Sequence, residues 1–239
     1  METGAAGKER ALVGEAVLDN PYWHAMTGPQ ARIAVGTGKA RRYPAHIGPV
    51  AALAEPSEEA FADLERLVDV GEVVGFVRAE PAQLPAGWQR VFGVALEQRV
   101  CRRLGPWPAV DAAPLGEEDM PAMLALAEAT EPGPFERGAR ELGDFLGVWE
   151  GSRLVAMAGV RAHLEGFREI TAVCTAPDRR GRGLAKGLVG RLCEGILASG
   201  EVPFLHVRDD NAPAVHAYRQ LGFELRGAMQ VQAVRLDPR

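Results

Sequence analysis

Residues 173–185 read Val-Cys-Thr-Ala-Pro-Asp-Arg-Arg-Gly-Arg-Gly-Leu-Ala, and the rest of the chain is organised around them. The apolar and β-branched residues 170–173 predict a strand, which Pro177 ends. Residues 178–183 are polar and contain two glycines, and a helical spacing of aliphatic residues begins at Leu184. The stretch therefore predicts a strand, a basic glycine-rich loop and a helix in direct succession.

This order of elements is typical of an anion-binding site. The first turn of a helix has unpaired N–H groups and carries the positive end of the helix dipole. Gly181 and Gly183 allow the backbone to approach a ligand closely, and Arg179, Arg180 and Arg182 add positive charge. The glycine spacing is not that of the Walker loop or of the dinucleotide-binding loop. The alternative interpretation is a solvated turn with no ligand.

The loop fits the pattern Arg/Gln-x-x-Gly-x-Gly/Ala, with Arg180, Gly183 and Ala185 at the defined positions. In these residues it resembles the acyl-CoA pyrophosphate loop of the GNAT superfamily (GCN5-related N-acetyltransferases). A second stretch, residues 211–223, resembles another motif of that superfamily, Asn-x-x-Ala-x-x-x-Tyr-x-x-Leu-Gly-Phe. Taken together, the resemblance covers residues 115–239.

The resemblance implies an α/β (α+β) GNAT fold: a mixed, largely antiparallel sheet with flanking helices, splayed open at two parallel strands. These strands would be residues 170–175 and 202–207, and the pantetheine arm of acyl-CoA would lie between them. Asn211 would position the pantetheine or a water molecule, although capping of its helix is an alternative role. The implied cofactor-binding residues are Val173, Cys174, Thr175, Arg180, Gly181, Arg182, Gly183, Leu184, Ala185, Asn211 and Tyr218.

The reaction implied by the resemblance is direct attack of an amine on the acyl-CoA thioester. Such an attack needs a neutral amine and a stabilised leaving thiolate. Tyr218 falls on the motif position that protonates or hydrogen-bonds the sulfur, and Glu169 is the expected general base, with His206 as the second candidate. Structural roles stay open for all three: a core aromatic, an exposed charge at a strand end and a satisfied histidine. His163 and His216 are weaker candidates, and no metal site is expected because no ligand spacing occurs.

The composition fits a soluble globular protein. Of the 239 residues, 47% are hydrophobic and 25% charged, and the net charge of −5 argues against a nucleic-acid-binding surface. Cys101, Cys174 and Cys193 form neither a zinc spacing nor a disulfide framework, so we expect reduced thiols and a cytoplasmic location. Neither a membrane-spanning stretch nor a signal peptide is expected.

The proline- and glycine-rich residues 103–116 predict a linker, with a domain boundary near residue 112. Residues 1–112 predict strand, strand, helix, strand, loop and strand, the first of these strands at residues 31–35. This order weakly resembles half a GNAT domain without the pyrophosphate loop, which implies a degenerate, non-catalytic lobe. Residues 113–239 would then form the acetyltransferase domain.

We therefore expect an acyl-CoA-dependent N-acyltransferase that uses acetyl-CoA as cosubstrate and a small-molecule or peptide amine as acceptor. The acceptor would meet the hairpin 144–164 and the segment 130–138, which supply Glu131, Phe135, Arg137, Trp149 and His163. One alternative is a non-catalytic CoA-binding regulatory module. Another is a two-lobed protein that holds a partner peptide on Tyr22 and Trp23.

Overall fold

The structure is a computed structural model, and it describes residues 14–238. The α-helices within these residues are α1 (Pro21–Thr27), α2 (Glu58–Glu65), α3 (Met120–Thr130), α4 (Leu184–Ala198) and α5 (Ala212–Gln220). The strands are β1 (Ala40–Arg42), β2 (Ala51–Leu53), β3 (Val73–Arg78), β4 (Trp88–Val100), β5 (Ala112–Pro114), β6 (Phe145–Glu150), β7 (Arg153–Leu164), β8 (Phe167–Thr175), β9 (Val202–Arg208) and β10 (Glu224–Leu236). Short 3-10 turns occupy Ala16–Asp19, Arg137–Leu142 and Pro177–Arg179.

Eight of these strands form one sheet in the order β3-β10-β4-β9-β8-β7-β6-β5. The pair β8 and β9 is parallel, whereas the other pairs in the sheet are antiparallel. Strands β1 and β2 form a separate antiparallel ribbon. The predicted mixed, largely antiparallel sheet is therefore confirmed.

The sheet opens where the two parallel strands part. Their ladder runs from the Phe167–Val202 pair to the Ile170–Leu205 pair and ends there, although both strands continue. Ala172 has a φ of 50°, and the pairing of β8 with β7 shifts register around it, which is a β-bulge. Because a bulge bends its strand, the end of β8 turns away from β9, as the splayed sheet requires.

The predicted boundary near residue 112 does not separate two sheets. Strands β3 and β4 both precede that boundary, yet β3 pairs with β10, and β4 lies between β9 and β10. The predicted linker is also ordered: a Cβ atom at Gly190 or Gly187 of α4 would collide with Trp107 or Val110. Whether residues 1–112 form a degenerate GNAT-like unit stays a prediction.

Both faces of the sheet are covered. Neighbouring residues of a strand point to opposite faces, and on β9 Leu205 packs with Leu188 of α4 in one core, whereas Phe204 packs with Tyr22 of α1 in another. None of the helices within residues 14–238 is both long enough and apolar enough to cross a membrane. The segment around α1 therefore lies on the sheet face opposite the one against which α4 packs.

Candidate functional site

The glycine-rich turn before α4 is open. Gly181 and Gly183 each have a φ of 79°, a conformation that L side chains rarely adopt, and Gly183 caps the helix that begins at Leu184. A Cβ atom at Gly181 would have no neighbour within 4 Å, and one at Gly183 would lie 3.2 Å from the side chain of Pro108. Among the hydrogen bonds of the described residues, none has a backbone N–H of residues 181–185 as its donor. These N–H groups are available to an anion.

The three arginines of this turn differ in their partners. Arg179 donates to the carboxylate of Glu150 at 2.6 Å, and Arg182 lies 3.7 Å from the same carboxylate. Arg180 instead donates from Nε to the carbonyl oxygen of Thr175 at 3.4 Å, and no carboxylate pairs with it among residues 14–238. Arg180, which occupies the motif position, is therefore the arginine whose charge is uncompensated.

Tyr218 lies on α5 and packs against the core that contains Cys174 of β8. Its ring packs edge-on against Phe223, with centroids 5.7 Å apart. Burial, and then the nearby thiols of Cys193 and Cys174, raise the pKa of Tyr218 well above its ordinary value. No hydrogen bond of its hydroxyl occurs among those of the described residues. A protonated phenol without a protein partner thus packs on the core to which Cys174, near the end of β8, also belongs.

The other predicted ligand-binding residues lie around the same opening. Val173, Cys174 and Thr175 all follow the end of the parallel ladder, so their edge of β8 has no partner in β9. The Thr175 hydroxyl is buried and has no hydrogen-bond partner within the described part of the chain. Asn211 caps α5, accepting from the backbone N–H of Ala214 at 3.2 Å, so its predicted structural role is confirmed. A ligand role for Asn211 stays a prediction.

Glu169 has a different environment from the one expected of a base. It is fully buried in the paired part of β8, and Arg161 binds both of its oxygens at 2.8 and 3.0 Å. The Tyr22 hydroxyl donates to it at 2.9 Å and His206 donates from Nδ1 at 2.9 Å. Burial alone would raise the pKa of Glu169, but Arg161 and His206 hold it well below its ordinary value. A carboxylate so paired takes up a proton poorly, and it is not the exposed strand-end charge of the alternative interpretation.

His206 is held in one tautomer by its neighbours. Its Nε2 lies 3.0 Å from Nε2 of Gln98, whose amide donates to the carbonyl of Leu18 at 2.8 Å. Arg226 donates to the amide oxygen of Gln98 at 2.9 Å, so the amide nitrogen must face the ring. Because an amide nitrogen can only donate, Nε2 accepts and the proton sits on Nδ1. The satisfied, half-buried histidine is thus the interpretation that the structure supports.

Sequence reasoning missed most of this buried network. Tyr22 lies 147 positions from Glu169, and Gln98 lies 108 positions from His206. No local pattern marks a tyrosine or a glutamine as the partner of a distant strand residue. The network joins the first half of the chain to Arg161 of β7, Glu169 of β8 and His206 of β9.

Replacing Glu169 by Gln is expected to lower the free energy of unfolding by about 3–5 kcal/mol, because Arg161 loses its buried counter-charge. Asp178→Asn, which breaks an exposed pair with Arg153, is the control and should cost at most about 1 kcal/mol. Urea unfolding at pH 7 measures both. The pKa of Glu169 is lowered in the folded state, so its contribution is complete above about pH 4.3 and declines as the pH falls below it. Equal costs for the two variants would contradict the network.

The remaining predicted residues have other surroundings. His163 pairs with Glu201 at 2.7 Å and His216 contacts Gln220 at 2.8 Å, so each already has a partner. Glu131 and Phe135 line a groove of about 370 Å³ at the end of α3, together with Leu124, Ala127, Glu128 and Gly133. Three further candidates for acceptor binding, Arg137, Trp149 and His163, are not among the residues that line it. Residues 14–238 contain no cluster of His, Cys, Asp and Glu side chains able to hold a metal ion.

The chain is similar in sequence and fold to known proteins. A family model described as "FR47-like protein" matches residues 145–232. The chain is 38% identical to a Novosphingobium aromaticivorans protein described as an acetyltransferase of the GNAT family; the alignment covers 92% of this chain and 99% of that one, with a TM-score of 0.84. A GCN5-related N-acetyltransferase from Kribbella flavida shares the fold, with 20% identity, a TM-score of 0.60 and coverage of 90% and 93%.

A shorter match joins the chain to a protein named mycothiol acetyltransferase from Corynebacterium glutamicum. The two are 38% identical over 81 residues, which is 34% of this chain. The match spans 28% of the length of that relative. An uncharacterised protein from Mycobacterium leprae is 34% identical over 107 residues, or 29% of its length. The chain therefore covers less than a third of these curated relatives.

Proposed function

The chain belongs to the GNAT family, and on that premise we propose that it transfers an acetyl group from acetyl-CoA to a primary amine of a small molecule or peptide. One observation carries the proposal. The parallel ladder ends at Ile170 and Leu205, and the chain that follows β8 carries the free N–H groups of residues 181–185. Tyr218 packs on the core that contains Cys174, one of the residues beyond the end of the ladder. An anionic, elongated thioester fits these three features together.

We propose the following contacts for acetyl-CoA. Its pyrophosphate would bind the N–H groups of residues 181–185, with Arg180 as the charge partner, because these groups have no competing protein partner. The amides of its pantetheine arm would pair with the free edge of β8 at Val173–Thr175, since an extended chain adds to an exposed strand edge through backbone hydrogen bonds. Its thioester would then lie near Tyr218.

The reaction proposed for this opening is acyl transfer, in which a C–N bond forms and a C–S bond breaks. The amine nitrogen attacks the thioester carbon to form the C–N bond, the C–S bond breaks, and the amine loses a proton. Tyr218 remains protonated at neutral pH because its pKa is raised, so it can donate to the sulfur as negative charge develops there. Glu169 and His206 already use their lone pairs in the buried network, so we propose that water accepts the proton of the amine.

A cytoplasmic location is part of the proposal. The three cysteines are unpaired and buried, and thiols persist in reducing compartments.

Acetyl-CoA is expected to raise the melting temperature. At a ligand concentration of about 100 times the dissociation constant the gain is about 2.7 kcal/mol, or a shift of about 5–10 °C for a chain of this size. Differential scanning fluorimetry measures the shift. Acetyl-pantetheine, which lacks the diphosphate and cannot reach the turn, should give a much smaller one. No shift with millimolar acetyl-CoA would contradict the proposed binding, and the release of free thiol with a panel of amines then tests the transfer itself.

A further inference from the structure

The groove at the end of α3 has an apolar floor and a charged rim. Leu124, Ala127 and Phe135 supply the apolar part, and Glu128 and Glu131 supply two carboxylates. Phe135 is held in place by an edge-on contact with the ring of Phe145, at a centroid distance of 5.6 Å. The volume, about 370 Å³, lies within the range of small-molecule sites.

The groove lies next to the proposed reacting centre. Thr130 is the last residue of α3 and directly precedes Glu131, and its side chain interacts with the Cys174 thiol at the end of β8. The same thiol lies close enough to Tyr218 to affect its titration. The end of α3 that borders the groove is therefore also next to the end of β8, along which we propose that the pantetheine arm lies.

The two carboxylates of the groove lack counter-charges. The side-chain carboxylates of Glu128 and Glu131 take part in no hydrogen bond and no ion pair among residues 14–238. The sequence around them, residues 117–136, contains six acidic residues and no Lys or Arg. By contrast, residues 179–186 contain four basic residues and no acidic one. The proposed site thus has a positive end for the anionic thioester and a negative end at the groove.

We infer that the acceptor is a small amine with a second positive charge, and that Glu128 and Glu131 bind this second charge while the apolar floor takes the spacer between the two nitrogens. The inference rests on the proposed transferase function. An acceptor that covers the groove removes water from both carboxylates, and an unpaired carboxylate withdrawn from water is costly. With a neutral or anionic acceptor this loss of carboxylate hydration is not compensated, whereas a second ammonium group offsets it by pairing with the carboxylates.

The test is a comparison of two acceptors that differ only in the second charge. 1,5-Diaminopentane and 5-amino-1-pentanol are each titrated calorimetrically into the full-length protein saturated with CoA. We expect the diamine to bind at least about tenfold more tightly, which corresponds to about 1.4 kcal/mol, and to lose this advantage at high salt. The same order is expected in kcat/KM with acetyl-CoA.

Variants assign the effect to the groove. In Glu128→Gln/Glu131→Gln the affinity for the diamine should fall towards that of the amino alcohol, whereas Glu136→Gln, a nearby acid outside the groove, should retain the tenfold difference. Equal affinities of the wild type for the two acceptors, or an unchanged diamine affinity in the double variant, overturn the inference. Tighter binding of a lysine-rich peptide than of the diamine overturns the assignment to a small molecule. Diamine binding without any acetyl transfer leaves the groove as a diamine site and refutes the transferase proposal instead.

Discussion

Tyr218→Phe is expected to lower kcat for acetyl transfer by about 10²–10³-fold, the usual effect of losing a positioned general acid. The ring of Tyr218 packs on Phe223 and is partly buried against the core, so phenylalanine keeps the packing and removes only the hydroxyl. That hydroxyl has no protein partner among the described residues, so its removal leaves no donor or acceptor of the protein unpaired. The dissociation constant for acetyl-CoA should therefore change little.

The measurement is steady-state release of CoA thiol together with calorimetric binding of acetyl-CoA. Tyr43→Phe is the matched control, because it removes a buried phenol that donates to Gln30 at 2.6 Å and belongs to the core around α1 rather than to the one that carries Tyr218. It should cost about 1 kcal/mol of stability and leave kcat unchanged. A kcat of Tyr218→Phe within about twofold of the wild type would remove Tyr218 from the mechanism. Binding of acetyl-CoA by the wild type without transfer to any amine would favour the non-catalytic module.

The parts of the site that sequence reasoning identified are the local ones. A helix N-terminus with two left-handed glycines is encoded within residues 178–185, and the Asn211 cap is encoded three positions from its partner, Ala214. The parting of β8 and β9 was expected from the resemblance, and the Ala172 bulge gives its physical basis. Each of these features depends on neighbours in sequence, which is why the pattern reveals them.

The features that sequence reasoning got wrong depend on distant partners. Residues 31–35 alternate weakly and predict a strand, but Ile33 and Ala34 instead form turns closed by hydrogen bonds to the carbonyl of Gln30. Gln30 in turn uses its side chain to bridge the carbonyls of Leu142 and Arg161, more than 100 positions away. The pattern of a short apolar run does not reveal such distant partners. It therefore cannot show that these residues form a turn that positions Gln30.

The position of β4 inside the sheet determines which fragments of the chain we expect to fold. Its pairing with β10 extends from Trp88 to Val100, and its pairing with β9 from Leu96 to Val100. A fragment of residues 113–239, the predicted catalytic domain, lacks this strand and leaves two neighbouring strands with unpaired backbone groups at the centre of the sheet. We expect this fragment to be unfolded or aggregated, without a cooperative thermal transition by circular dichroism and without binding of acetyl-CoA.

A fragment of residues 86–239 is the matched control, because it restores β4 and little else of the first half. If the strand is the missing part, this fragment should recover a cooperative transition, although at a lower temperature than the whole chain, since Tyr22 and Gln30 no longer cover Glu169 and its network. Cooperative melting and acetyl-CoA binding by residues 113–239 alone would instead establish the boundary near residue 112 as that of an independent domain. The two fragments thus test whether the boundary near residue 112 is also a boundary of the folded domain. If β4 is needed for the sheet to form, the folding unit must begin before that strand, at a residue that precedes 112.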